Sequence, residues 1–332
     1  MKKIVVASDS FKGTFSSLQV ARMVREVLDP QLYHVDAVGI SDGGEGFCRV
    51  LTDALHGRYV SVSVHDPLMR PMQACYGVSG ETAIIDVATA SGLTLLKPEE
   101  RDPWHASSYG TGELIRDALS RGYRHLLIGL GGSATSDCGR GMLEALEGWD
   151  DEITATTFTV ASDVTNPLCG PNGAAYVYGG QKGADEQMKA RLDERARAYG
   201  KELERRCGHA VIDLPGAGAA GGIGAALLSL PHTVVRRGID VVLDAQHFDH
   251  RIADVAAVIT GEGCIDCQTL CGKAPYGIAL RARQQGIPCL ALYGRLELTE
   301  DELASAPWTA TAPISDFVTK LDETVGTIRE NS

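Results

Sequence analysis

Short runs of β-branched and apolar residues, each followed by a polar glycine-bearing loop and then by apolar residues at helical spacing, recur along the chain. The run 4–7 (IVVA) leads into SDSFKGT at 8–14. SSLQVARMVREVL at 16–28 then sets Leu18, Ala21, Val24 and Leu28 on one helical face. Ser16 and Gln19 have capping-box spacing, and Asp29-Pro30 ends the helix. The pattern repeats from a strand near 33–40 through SDGGEG (41–46) into a helix carrying Phe47, Val50, Leu51 and Ala54. Two such units in succession predict a parallel sheet. From 58 to 87 the period falls to two: RYVSVSVH, MQACYGV and TAIIDV, separated by DPLMRP and SGE, predict an antiparallel meander. Strand, loop and helix return at HLLIGL (125–130) and GGSATSDCGRG (131–141). Beyond lie a strand at 157–162, a long amphipathic helix marked by Met188, Leu192, Ala196, Tyr199 and Leu203, the strand AAVIT (256–260), a helix from near Lys273, and the strand IPCLALYG (287–294).

A meander is a poor continuation of a doubly wound sheet. The predicted fold class is therefore α/β with two domains: a discontinuous Rossmann-like parallel domain from 1–57 and 245–332, and a mixed α/β domain, 58–244, inserted into it. The length of 332 residues and the 44% hydrophobic content suit two cores. A net charge of −12 argues against a nucleic-acid or anionic-membrane surface, both of which require clustered cations. MKKIVVASDS lacks the apolar length of a secretory segment, no stretch reaches membrane-spanning length, and nine scattered cysteines suit reduced thiols, so the expected location is the cytoplasm.

Candidate chemistry lies in the loops after the strands. GGSATSDCGRG follows an apolar strand and precedes a helix, so its amides suit an anion, with Ser133, Thr135 and Ser136 as further donors and Asp137 as a carboxylate. SDSFKGT carries Asp9, Ser10 and Lys12 at the carboxyl end of the first strand, and SDGGEG carries Asp42 and Glu45 at the equivalent end of the second. Acids gathered near a phosphate imply a metal. ASDVTNPLCGPNG (161–173) offers Asp163 and Asn166, GGQKGAD (179–185) offers Lys182, and TGEGCIDCQTLCGKAP (260–275) offers Glu262, Asp266 and Lys273. Phosphoryl transfer needs such a set: amides and cations for phosphate, carboxylates for Mg²⁺, and a group to receive the hydroxyl proton. Gly216, Gly218 and Gly221 have the GxGxxG spacing of a dinucleotide site, with Asp240 or Asp244 on the ribose. Asp213 and Pro215 break the approach to it, which favours a glycine segment facing adenine or phosphate. Cys264, Cys267 and Cys271 lack a nearby fourth ligand and read as three thiols rather than a zinc site.

In order along almost the whole chain, SDSFKGT, SDGGEG, DPLMRP, ASGL, YGTGELIRDAL, GGSATSD, ASDVTNPLCGPNGAA, QKGA, DLPGAGAAGG, TGEG and QTLCGKAP resemble the bacterial glycerate kinase family. The resemblance implies ATP- and Mg²⁺-dependent phosphorylation of D-glycerate, usually to 2-phosphoglycerate; the expected assembly is a monomer or homodimer. On the matched positions we assign catalysis to Asp9, Lys12, Asp137 and Asp266, with Asp137 or Asp266 as the base. Nucleotide binding falls to Gly131, Gly132, Ser133, Asn166, Lys182 and Lys273, substrate binding to Ser10, Asp42, Gly43 and Gly44, and the metal to Asp42, Glu45, Asp163 and Glu262. The chain departs from the family at Cys264 and Cys271, where arginine and histidine are usual, and is shorter after Leu146 and Arg295. The Cys264 change leaves open a kinase of another small hydroxy acid, or a nucleotide-binding homologue with impaired activity.

Overall fold

The computed structural model describes residues 1–326 apart from 10, 12–14, 16, 45 and 271. Its strands in chain order are β1 (Lys2–Val6), β2 (Tyr33–Ala37), β3 (Arg58–His65), β4 (Pro71–Ser79), β5 (Thr82–Asp86), β6 (His125–Gly129), β7 (Thr157–Ala161), β8 (Thr233–Arg236), β9 (Ala257–Ile265), β10 (Cys289–Leu296) and β11 (Ala310–Pro313). They form two sheets, one in each of two compact units: 1–42 with 239–332, and 43–238.

The first unit holds a five-stranded, wholly parallel sheet in the order β11-β10-β9-β1-β2. Ile4, Val6, Ile259, Leu290 and Leu292 are buried in its central strands, and Val20 and Val24 of the helix Ser17–Val27 pack against them. Strand order reverses between β1 and β9, since β1 leads to β2 on one side while β9 leads through β10 to β11 on the other. Open α/β sheets bind ligands outside the carboxyl ends of their strands at such a reversal. The predicted capping residue Ser16 lies outside the described residues.

The second unit holds a six-stranded sheet in the order β3-β4-β5-β6-β7-β8, antiparallel from β3 to β5 and parallel from β5 to β8. The meander is thus one half of the sheet that carries the glycine loop. Its core includes Tyr76, Ile85, Leu114, Ile115, Ile128, Phe158 and Ile223.

The domain boundaries expected at 57/58 and 244/245 differ from these compact units. The helix Phe47–Ala54 belongs with residues 43–238, because its inner face seats on β4 and β5: the Cys48 amide donates to Asp86 Oδ1 at 2.8 Å and the Cys48 thiol to the Ile84 carbonyl at 3.1 Å. Gly77 lets this helix approach, since a Cβ there would stand 1.7 Å from Thr52 Oγ1. At the other end, the helix Gly238–Ala245 joins the first unit through Asp240 and Asp244, which pair with Arg281 at 3.6 and 2.6 Å. The strand expected at 33–40 stops at Ala37, where its pairing with β1 ends. No helix among the described residues is long and apolar enough to cross a membrane.

Candidate active site

In the unit 43–238, the loop after β6 is tied down at intervals. Gly131 donates its amide to the Gly43 carbonyl at 3.1 Å, Ala134 to Ser91 at 2.8 Å, and Cys138 to Gly221 at 3.1 Å. Among the described residues, the amides of Gly132, Ser133, Thr135, Ser136 and Asp137 between these ties have no protein acceptor. Consecutive unbonded amides after a strand form the kind of concavity that holds an anion.

Two cations from elsewhere in the unit hold this loop from behind. Lys182, only 2% exposed, donates through Nζ to Ser133 Oγ at 2.9 Å and to the Thr135 carbonyl at 2.7 Å. Burial pushes its pKa down to about 8, with Asp137 and Cys138 opposing the shift. Arg195, on the helix Glu186–Cys207, donates to the Ser136 carbonyl at 3.0 Å and to the Trp104 carbonyl at 2.8 Å, and its guanidinium stacks on the Trp104 ring. In a trans peptide the N–H points opposite the C=O. Holding the Thr135 and Ser136 carbonyls therefore turns the amides of Ser136 and Asp137 to the other side and polarises them.

Asp137 is committed to the same architecture. Its Oδ2 accepts from the Ser108 amide at 2.8 Å, the Ser108 hydroxyl at 2.7 Å and the Gly141 amide at 3.1 Å, and its Oδ1 accepts from the Gly139 amide at 3.1 Å. Ser108 immediately precedes the helix Tyr109–Ser120, so Asp137 ties that helix to the loop. The glycine run at 215–224 lies beneath. A Cβ on Gly221, whose φ is +67°, would stand 1.9 Å from the Thr135 carbonyl oxygen. The spacing that matched a dinucleotide fingerprint thus provides close backbone packing, and residues 211–218 leading into it are turns rather than a strand. Asn166 and Asp163 follow β7: Asn166 accepts from the Tyr178 hydroxyl at 2.8 Å and donates to the Asn172 carbonyl, while Asp163 Oδ1 accepts from the Gly238 amide at 3.0 Å.

In the other unit, acids collect where strand order reverses. Asp9 donates its amide to the Gly261 carbonyl at 2.9 Å, which places it beside Glu262 of β9. Glu262 Oε1 accepts from the Thr269 hydroxyl at 2.5 Å, and Lys273 Nζ stands 3.8 Å from Glu262 Oε2 and 3.7 Å from Asp266 Oδ1. Burial raises the Glu262 pKa, the Thr269 hydroxyl and Lys273 lower it in part, and Asp9 and Asp266 add to the rise. Burial also works to raise Asp266, but the amides of Thr269 and Gln268 together with Lys273 outweigh it and hold its pKa low. Asp42 is half-buried in the bend after β2. Ser10, Lys12 and Glu45 lie outside the described residues, as does Cys271. Cys264 pairs in register with Arg295 of β10, and the side-chain hydrogen bond that Arg295 donates to Cys264 raises the arginine's pKa, so a guanidinium reaches this sulfur from the next strand.

Among the described residues no three acids, histidines or cysteines form a protein-only metal site. A Mg²⁺ bound mainly by phosphates needs only one or two carboxylates, and the mutual repulsion of Asp9, Glu262 and Asp266 suits a cation. Sequence reasoning missed Arg195, Ser108 and Thr269. Thr269 was within reach, since it lies between two assigned residues, Asp266 and Lys273. Arg195 carries no local signal, because it meets Ser136 from a helix that reads as an amphipathic surface element.

Amides prepared for an anion and a group of carboxylates, each at strand ends, are the equipment of a phosphotransferase, and comparison with known proteins agrees. The glycerate kinase family profile matches residues 4–149 and 146–331. A glycerate kinase of Bacillus cereus is 38% identical, covering 99% of this chain and 94% of that one. The glycerate 2-kinase of Escherichia coli K12 is 39% identical, covering 90% and 86%. A crystal structure from Salmonella typhimurium LT2, put forward as glycerate kinase 2, superposes with a TM-score of 0.81 at 38% identity, covering 99% of this chain and 96% of that one. The protein is a kinase. The chain belongs to the glycerate kinase family.

Proposed function

We propose that the enzyme transfers the γ-phosphoryl group of ATP to the 2-hydroxyl of D-glycerate, giving 2-phosphoglycerate. The observation that carries this reading is the loop 131–137, whose unbonded amides are aimed by Lys182 and Arg195. Those amides take the phosphate oxygens. Fixed donors of this kind stabilise charge in a loose phosphoryl-transfer transition state without reorganising during the reaction.

The acceptor side rests on Asp9, Glu262, Asp266 and Lys273. Glu262 suits the role of base better than Asp137 or Asp266. Donors surround both oxygens of Asp137, and Asp266 is held ionised and weakly basic, whereas the raised pKa of Glu262 makes it the better proton acceptor. The Thr269 hydroxyl fixes one of its oxygens. Asp9 and Asp266 would hold Mg²⁺, which when bound neutralises charge on the phosphates. Lys273 would pair with the carboxylate of the substrate or with a phosphate.

The test is release of ADP from ATP, Mg²⁺ and D-glycerate, coupled to enolase with and without phosphoglycerate mutase. The proposal expects a signal independent of mutase. A mutase-dependent signal would assign the 3-hydroxyl, and turnover only with other hydroxy acids would replace the substrate.

A further inference from the structure

Beside the loop 131–137 lies a cavity of about 210 Å³ wholly within the unit 43–238. Leu93, Leu130, Val164, Tyr178 and Ala220 line it together with the loop residues Gly131 to Ser133 and with Lys182. Leu130 and Gly131 place it at the carboxyl end of β6, the side on which parallel sheets bind ligands.

We infer that this cavity receives the purine base of the nucleotide, with the sugar and phosphates lying outside it along the amides of the loop. The inference rests on the kinase reading above and adds to it which unit holds the base.

Three observations favour a base over the small acid substrate. The walls are largely apolar, which suits a planar aromatic ring and offers little to glycerate, a three-carbon molecule bearing a carboxylate and two hydroxyls. Among the described residues no acid, arginine or histidine lines the cavity, and the cation that does, Lys182, already donates to Ser133 and Thr135. A carboxylate entering here would lose water without gaining an ionic partner. Tyr178 is fixed by its hydroxyl bond to Asn166, whose amide is in turn tied to Asn172, so this aromatic wall is set before a ligand arrives. The volume also fits one ring system rather than a whole nucleotide, since pockets enclosing complete drug-sized ligands run to roughly 300–1,000 Å³. A base seated here would have the unbonded amides of Gly132 and Ser133 in the lining of its pocket, close to where the phosphates have to begin.

The test compares ATP with inorganic tripolyphosphate by calorimetry in Mg²⁺ without acceptor, using the full chain. Wild type should bind ATP more tightly by roughly 5- to 150-fold, the range for stacking one base. Val164→Trp, which fills the cavity, should erase that ratio by weakening ATP alone and leave tripolyphosphate affinity unchanged. Persistence of the full ratio in Val164→Trp overturns the assignment, and so does parallel loss of both ligands. If Val164→Trp does not fold, Tyr178→Ala takes its place: a reduced ratio supports the pocket and an unchanged one overturns it. Because no acceptor is present, a protein that passes this test yet fails to phosphorylate D-glycerate keeps the base pocket and loses only the acceptor assignment.

Discussion

The two groups of strand-end residues differ in how their positions are secured. The acids of the first unit sit where strand order reverses between β1 and β9, so the sheet itself supplies a crevice, and few contacts are needed to place Asp9 and Glu262. The parallel part of the second sheet runs β5-β6-β7-β8 without reversal. There the site is assembled instead: a glycine bed at 216–222 lets the backbone approach, Asp137 ties a helix to the loop, and two cations hold successive carbonyls. The difference teaches that one site inherits its place from topology while the other depends on contacts between residues far apart in sequence. The first should therefore fail in its chemistry when altered and the second in its architecture.

Glu262→Gln should give the largest effect, lowering kcat by about 10²- to 10⁴-fold, the usual worth of a positioned base, with an unchanged melting temperature. Near-normal ADP release would remove Glu262 from that role. In wild type, kcat/KM should fall on acidification with a midpoint above the usual carboxylate range, because burial raises Glu262.

Gly221→Ala should come next. The added methyl meets the Thr135 carbonyl at a backbone φ that disfavours side chains, so ATP affinity should drop at least about tenfold together with thermal stability. Loss of kcat alone would contradict an architectural part for this glycine. Asp137→Asn turns an amide NH₂ toward hydrogen-bond donors and should cost about 1–3 kcal/mol in denaturant unfolding. A stable variant with abolished kcat would instead return Asp137 to the chemistry.

The lysine behind the loop makes a prediction in pH. Lys182 gives up its proton near pH 8 when folded, against 10.5 as the ordinary value. Between these values the unfolded chain binds more protons, so this group makes stability rise with pH. ATP affinity should move the opposite way, weakening as pH passes about 8, because a neutral amine no longer polarises the Thr135 carbonyl. Lys182→Arg, which keeps the charge, should remove both trends; ATP titrations and thermal melts from pH 7 to 10 would show it. The smallest change is expected for Thr269→Val, which removes a hydrogen bond that lowers the Glu262 pKa and should shift the acid limb of kcat/KM to higher pH.

Much of this was legible in the chain. The alternation of β-branched runs, glycine loops and amphipathic helices marks the α/β class, and the period-two stretch 58–87 marks the meander. The loop 131–137 stands out because polar residues directly after a buried strand have few structural uses. Residues 260–275 stand out for the same polar residues, although the strand expected to end at 260 runs on as β9 to Ile265 and holds Glu262 within it. What stayed hidden depended on partners distant in sequence. Nothing around Phe47–Ala54 says that its apolar face seats on β4 and β5 rather than on the sheet of its own preceding strand. The GxGxxG spacing is the same whether the glycines admit a pyrophosphate or a neighbouring loop, and only the approach of Gly221 to Thr135 separates the two.

By itself the sequence determined which residue types stand at which strand ends, because hydrophobic period and turn chemistry are local properties. Tertiary structure alone decided their surroundings: that Asp137 accepts from the start of a helix, that Lys182 faces carbonyls, and that burial raises the pKa of Glu262. Burial and hydrogen-bond partners set the protonation and reach of a side chain, and both come from residues that only folding brings near.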